Sequence, residues 1–153
     1  MKDNKILEIE RKFLVKDDSW RNDVIDIIPI TQQYLSIGDC NVRVRWDGNK
    51  GYITLKLPHP DPSTVYEFEH EIPLQDVTNI ARYAKTCTLA KDRHILKSDW
   101  TVDVFYEPYL GLVMAEIEMA DHKQEIILPS WIGEEVTNDP EYSNVNLASY
   151  IKK

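Results

Sequence analysis

The sequence predicts a β-dominated α+β domain built mainly from eight, largely antiparallel, strands. Apolar and polar residues alternate with a period of two in eight separate segments, which marks strands with two chemically distinct faces. Most connections between these segments are short and rich in turn residues, so neighbours pair as hairpins.

Leu7–Val15 alternates as the first strand. Asp17-Asp18-Ser19 then offers a helix N-cap, and Trp20, Val24, Ile27 and Ile28 follow at helical spacing, which predicts a short helix. Further strands are predicted at Ile30–Ile37, Asn41–Trp46, Tyr52–Leu57, Val65–Ile72, Leu89–Leu96, Trp100–Phe105 and Leu112–Met119. Gly38-Asp39, Asp47-Gly48-Asn49, the Pro58–Pro62 stretch and Gly111 supply turns. An apolar stripe of Leu74, Val77, Ala81 and Ala84 predicts a helix over Leu74–Lys85. Val145, Leu147, Ala148 and Ile151 predict another over Ser143–Ile151, and Pro129–Gly133 reads as a loop.

The strand faces carry the chemistry. Residues i, i+2 and i+4 share a face, which groups Glu8, Glu10 and Lys12 on the first strand and Arg43 with Arg45 on the third. Lys56 opposes Ile53, Leu55 and Leu57; Glu67 and Glu69 alternate with Tyr66 and Phe68. Lys91 pairs with Arg93, Asp103 lies between Val102 and Val104, and Glu116 pairs with Glu118. Any one such face fits the wet side of an antiparallel sheet. The set does not, because a solubility surface mixes Ser, Thr and Gln with charge, whereas here the charge is nearly pure and sorted by strand. Acids occupy strands one, five, seven and eight; bases occupy three, four and six; Lys12 alone is a base among acids. If the strands close into a barrel, the charged face becomes its lumen, and the apolar faces point outward and need cover from the helices and the Trp131 segment. Such a lumen is costly unless ions fill it. Clustered carboxylates suit a hard divalent cation, and clustered Arg and Lys suit phosphate oxygens.

Bulk properties bound the function. The chain has 153 residues, 26 acids against 18 bases and a net charge of −8, which argues against nucleic acid as the main partner. No apolar run approaches the roughly 18 residues of a membrane helix, and the N-terminal residues lack a signal-peptide pattern, so a cytoplasmic protein without a membrane partner is expected. Cys40 and Cys87 lack metal spacing and are expected as reduced thiols. One domain spans residues 1–153, and both a monomer and a homodimer stay open.

At this point the sequence resembles the CYTH superfamily, the triphosphate tunnel metalloenzymes. Glu8-Ile9-Glu10-Arg11-Lys12 is similar to its N-terminal signature. The likeness continues in order through Gln32-Gln33-Tyr34-Leu35, Val42-Arg43-Val44-Arg45, Thr54-Leu55-Lys56, Glu67-Phe68-Glu69, Lys91-Asp92-Arg93, Asp103-Val104-Phe105 and Glu116-Ile117-Glu118, ending in Pro129–Thr137. The resemblance implies a closed eight-stranded antiparallel tunnel that cleaves a triphosphate with Mg²⁺ or Mn²⁺. By position it implies Glu8, Glu10, Glu116 and Glu118 as metal ligands, assisted by Glu67, Glu69 and Asp103. Arg43, Arg45, Lys56, Lys91 and Arg93 would hold phosphates, and Lys12 would orient or deprotonate the attacking water. The small bacterial members, similar to inorganic tripolyphosphatases, are the best match. The sequence departs from them at Val65, where an Arg is common, and at Tyr106-Glu107-Pro108, where a Gly turn is usual.

The alternatives are a class IV adenylate cyclase, a thiamine triphosphatase, and a phosphate- or nucleotide-binding module without turnover. No residue group identifies an adenine pocket, and the full set of acids disfavours a mere binding module. His59, His70, His94 and His122 are scattered without metal spacing, Trp20, Trp46, Trp100 and Trp131 suit the outer-wall core, and Tyr34 suits packing as well as a place facing substrate. A tunnel requires Glu10, Arg45, Lys56, Arg93 and Glu118 to converge on one cavity.

Overall fold

Residues 6–62 and 64–150 are described in the computed structural model of the protein, apart from the side chain of Tyr150. The strands are β1 (Leu7–Val15), β2 (Val24–Ser36), β3 (Asn41–Trp46), β4 (Gly51–Pro58), β5 (Thr64–Ile72), β6 (Leu89–Leu96), β7 (Trp100–Phe105), β8 (Val113–Glu118) and β9 (Ile132–Glu135). Two helices join them, α1 (Leu74–Ala81) and α2 (Asn144–Tyr150). Strand order is β5-β4-β3-β2-β6-β7-β8-β1-β9, and β5 also pairs with β1, so eight strands close into an antiparallel barrel and β9 is added at the seam.

The seam explains β9. Along one edge β1 meets β5 only at Leu7, Glu8 and Ile9, because the strands of a closed barrel are staggered. The rest of that edge would expose unpaired backbone. The chain after Trp131, expected as a loop over Pro129–Gly133, instead fills it: Phe13 aligns with Glu135 and Val15 with Ile132. Val136 N–H donates to the Lys12 carbonyl at 2.8 Å, and Lys12 N–H donates to Thr137 Oγ1 at 3.1 Å. Arg11 clasps Glu135 with two bonds of 2.6 and 2.8 Å.

Two further expectations change. The helix expected after Ser19 is only a 3₁₀ turn, Ser19–Asp23, and Val24, Ile27 and Ile28 belong to a β2 of 13 residues. The β-branched run and Pro29 override the helical spacing, since Pro removes a helical donor and branched side chains favour strands. Pro29 precedes the β2–β3 ladder, which starts at Thr31, a place that tolerates a missing N–H. Helix α1 stops at Ala81, short of Lys85. There the chain tightens into turns, and Lys85 N–H is captured by the Tyr34 carbonyl at 2.9 Å. Of the last predicted helix, Ile151 lies outside the described residues.

The main apolar core lies outside the barrel. Phe13, Leu96, Trp100, Val102, Ala115 and Ile117 project outward from the strands and cluster with Trp20 of the 3₁₀ turn and with Trp131 and Ile132. Trp100 meets Phe13 and Trp131 edge-on at centroid distances of 5.5 and 5.9 Å. A second cluster closes one end of the tunnel. Tyr34, Leu89, Phe105 and Met114 continue the lumen faces and pack on Leu147 and Ala148, so α2 plugs the barrel end instead of covering its wall. Helix α1 does lie on the wall, with Val77 over Gly51. A Cβ at Gly51 would overlap Val77 Cγ2 and stand 3.1 Å from the Ile72 carbonyl oxygen. Gly51→Ala is therefore expected to cost about 1–3 kcal/mol through overpacking, read as a Tm several degrees lower in thermal unfolding. An unchanged Tm would mean that α1 moves off the wall freely.

Candidate active site

Ladder register sets the charged side chains in facing tiers. Glu10 stands directly opposite Glu118, and Lys12 opposite Glu116. Lys56 stands opposite Glu67, Arg93 opposite Asp103, and Arg43 opposite Tyr34 and Thr54. The tiers enclose a chamber of about 270 Å³ lined by Glu8, Glu10, Gln32, Arg43, Arg45, Lys56, Glu67, Glu69, Lys91, Arg93, Glu116, Glu118 and Asn144. Glu10, Arg45, Lys56, Arg93 and Glu118 thus converge on one space. Glu8, Glu67, Arg93, Glu116 and Glu118 also line a wider opening of about 790 Å³, where Ile28, Ile95 and Met119 add apolar surface.

Lys12 and Asp103 are the two sequence-identified residues that do not line the chamber. Asp103 is fully buried behind two cations: Lys91 Nζ lies 2.8 Å from its Oδ2, and Arg93 meets both oxygens at 2.9 and 3.0 Å. Burial opposes its charge, but Lys91 and Arg93 outweigh that and hold the Asp103 carboxyl well below the usual aspartate range. Both oxygens are engaged by these cations, so Asp103 orients Lys91 and Arg93. Lys12 lies 3.5 Å from Glu10 and 3.9 Å from Glu116. Burial pushes its ammonium down, and Glu116 and Glu10 more than reverse the effect, so its pKa lies above the ordinary lysine value.

The acid wall carries more negative charge than its neighbours balance. Glu116 Oε1 is buried without a hydrogen-bond partner, and among the described residues no cation comes within ion-pair distance of Glu118. Burial first, then Glu8 and Glu10, push the Glu118 carboxyl up. Burial also raises Glu8, against the pull of Lys56 Nζ at 2.9 Å. The facing wall has the complementary surplus. Arg43 Nε and Arg45 Nε are buried donors without partners, and Arg45 is depressed by burial and by neighbouring Arg43. Glu69 ties these guanidiniums in place, 3.3 Å from Arg45 and 3.9 Å from Arg43, and accepts from Thr54 Oγ1 at 2.8 Å. One orphan acceptor, Glu116 Oε1, and two orphan donors, Arg43 Nε and Arg45 Nε, are groups that a cation and a polyanion would satisfy, although among the described residues the carboxylates are not drawn together into a ready metal cluster.

The family model for the CYTH domain matches residues 7–152. The chain belongs to the CYTH family. Among curated relatives of this CYTH chain, an inorganic triphosphatase of Acetivibrio thermocellus is 37% identical over 145 residues, covering 92% of each chain. An inorganic triphosphatase of Nitrosomonas europaea is 32% identical over 151 residues, covering 92% of this chain and 96% of the relative. The crystal structure of the inorganic triphosphatase NE1496 superposes with a TM-score of 0.65 at 30% identity, covering 92% of this chain and 97% of that one.

Sequence reasoning gave no role to Gln32, Thr54 or Asn144. Gln32 and Thr54 share strand faces with Tyr34 and Lys56, so parity alone would have found them. Asn144 has no such signal, because α2 brings it in from a distant part of the chain. Tyr34 is buried in the tunnel floor with its hydroxyl 3.5 Å from Gln32 Nε2, so it faces the lumen while it packs. Val65 faces Glu8 across the seam and does not line the chamber. The Tyr106–Gly111 turn lies at the closed end, where Tyr109 OH donates to the Leu147 carbonyl at 2.5 Å.

Removing Asp103 strands two cations, of which Lys91 is fully buried. Asp103→Ala is expected to lower unfolding stability by about 3–5 kcal/mol, the cost of breaking a buried ion pair. Because the folded-state pKa is depressed, this contribution is present above the ordinary aspartate value of 3.8 and is lost as pH falls below it. Urea unfolding at pH 7 and pH 3 should show the gap between wild type and Asp103→Asn shrinking at the lower pH. A gap that widens there would contradict the assignment.

Proposed function

We infer that this CYTH protein is a metal-dependent triphosphatase that cleaves inorganic tripolyphosphate to diphosphate and phosphate within its tunnel. The observation that carries the reading is one chamber whose lining holds both Glu116 Oε1, an acceptor without a hydrogen-bond partner, and Arg43 Nε and Arg45 Nε, donors without one. Two relatives at 37% and 32% identity, both inorganic triphosphatases, support the substrate class.

Glu8, Glu10, Glu116 and Glu118 would hold Mg²⁺ or Mn²⁺. When bound, the cation neutralises phosphate charge and favours ionisation of the attacking water. Arg43, Arg45, Lys56, Lys91 and Arg93 bind the phosphate oxygens and disperse the charge that develops as the phosphoryl group transfers. Asp103 and Glu69 hold those cations in position, and Lys12 orients the water from the acid wall. Since the mouth carries Glu8, Glu67, Glu116 and Glu118 against Arg93, a bare polyanion meets repulsion that its cation complex does not. A homodimer is compatible with this site. A soluble substrate and an acidic surface fit a cytoplasmic protein that binds neither nucleic acid nor membrane. Among the described residues no helix is long and apolar enough to cross a membrane.

Phosphate release from tripolyphosphate, thiamine triphosphate and ATP, with cyclic AMP followed alongside, tests the reading. Tripolyphosphate should be the preferred substrate, with activity abolished by a chelator and restored by Mg²⁺ or Mn²⁺. Undiminished turnover in excess chelator, or cyclic AMP as the main product, would overturn it.

A pair of substitutions separates binding from chemistry. Arg45→Ala removes phosphate donors and should both raise KM and lower kcat/KM. Lys12→Ala should lower kcat by about 100-fold or more with little change in affinity, as expected of a group that acts mainly in the transition state. Near-normal turnover in Lys12→Ala on every triphosphate would remove Lys12 from the mechanism.

A further inference from the structure

One chamber-lining residue comes from neither the barrel nor the charged set. Asn144, the first residue of α2, borders the deep end of the tunnel, and its Oδ1 accepts from Lys91 Nζ at 3.2 Å. Lysine has donors only, so chemistry fixes which amide atom faces Lys91, and Nδ2 is the atom left over. Among the described residues no acceptor meets that Nδ2. The helix that carries it is firmly seated. Asn146 Nδ2 donates to the Pro140 carbonyl at 2.8 Å, Ser143 Oγ accepts from Asn146 N–H at 3.3 Å, and Leu147 and Ala148 are buried in the floor.

A side chain that only plugged a barrel end would be expected to continue the apolar floor of Leu89, Phe105 and Met114. Asn144 instead sets a neutral, directional donor beside Lys91. A neutral donor binds a phosphate oxygen without adding another charge to a crowded lumen, and the same amide stops the Lys91 ammonium from turning away. We propose that Asn144 is a substrate-positioning residue that presents its Nδ2 to the innermost phosphate and aims Lys91 at the same group. This rests on the triphosphatase reading for the identity of the anion.

The test compares Asn144→Ala, Asn144→Asp and Asn146→Ala with wild type, in tripolyphosphate hydrolysis and in the thermal shift produced by tripolyphosphate with Mg²⁺. Asn144→Ala should raise KM about tenfold while kcat stays within about threefold, as for loss of a hydrogen bond to a charged group. Asn144→Asp should raise KM further, since it turns the donor into an anion facing phosphate. Both should lose at least about half of the ligand-induced shift. Asn146→Ala cuts a tie of the same helix outside the chamber, so it should lower the ligand-free Tm and leave KM within about twofold. An unchanged KM and shift in Asn144→Ala, or equal losses in Asn144→Ala and Asn146→Ala, would reduce Asn144 to part of a plug and overturn the proposal. If tripolyphosphate stabilises wild type but no phosphate is released, the triphosphatase reading fails, and the shift in Asn144→Ala then decides the role of Asn144 alone. Absence of both turnover and shift in wild type would sink both.

Discussion

The arrangement depends on one buried carboxylate. Asp103 stands behind the chamber wall and grips Lys91 and Arg93, two residues that line it. Without it, two cations confined in a low-dielectric space would repel each other and lose their aim. Glu69 does the same for Arg43 and Arg45 on the facing wall. Such supporting acids explain how a lumen crowded with like charges stays folded before any ligand arrives. They also divide the carboxylates into two kinds, those that hold cations and those, such as Glu118, that have no basic partner within ion-pair distance among the described residues.

A lumen of this kind contributes little hydrophobic stabilisation, so the fold finds it elsewhere. Each fully buried large apolar side chain contributes roughly 1.5–3 kcal/mol, and here most of them lie on the barrel exterior, under the Trp131 segment, or in the floor against α2. The covering segment and the floor helix follow the eighth strand in the chain, and the wall residues they cover alternate along the strands with those that line the tunnel.

The strand faces and their sorted charge were legible in the sequence because side-chain parity along a strand does not depend on context. Parity put Glu10, Arg45, Lys56, Arg93 and Glu118 in one space, as the chamber shows. It said nothing of depth, so Leu89, Phe105 and Met114, on those same faces, were not separable from lumen positions until register placed them at the floor. Asp103 illustrates the same limit, since facing inward does not tell whether a carboxylate reaches the cavity or stands behind another residue. The stretch from Val24 to Ile28 misled because helical and strand spacing overlap over short apolar runs. Strand β9 was invisible for a different cause: it exists only because β1 has an edge to cover, which is a property of the closed barrel.

That edge has a consequence for how the chain reaches its native state. The first strand of the barrel finds both neighbours late, for it pairs with β8 on one side and with β5 and β9 on the other, and the Arg11–Glu135 clasp spans 124 residues. Contacts between such distant segments close large loops and slow folding. Until residue 135 has been synthesised, β1 carries an unsatisfied edge, and its run of charges, Glu8, Glu10, Arg11 and Lys12, is the kind that disfavours pairing with another unfinished chain. The residues that prepare the tunnel for its ligand therefore also protect the unfinished barrel.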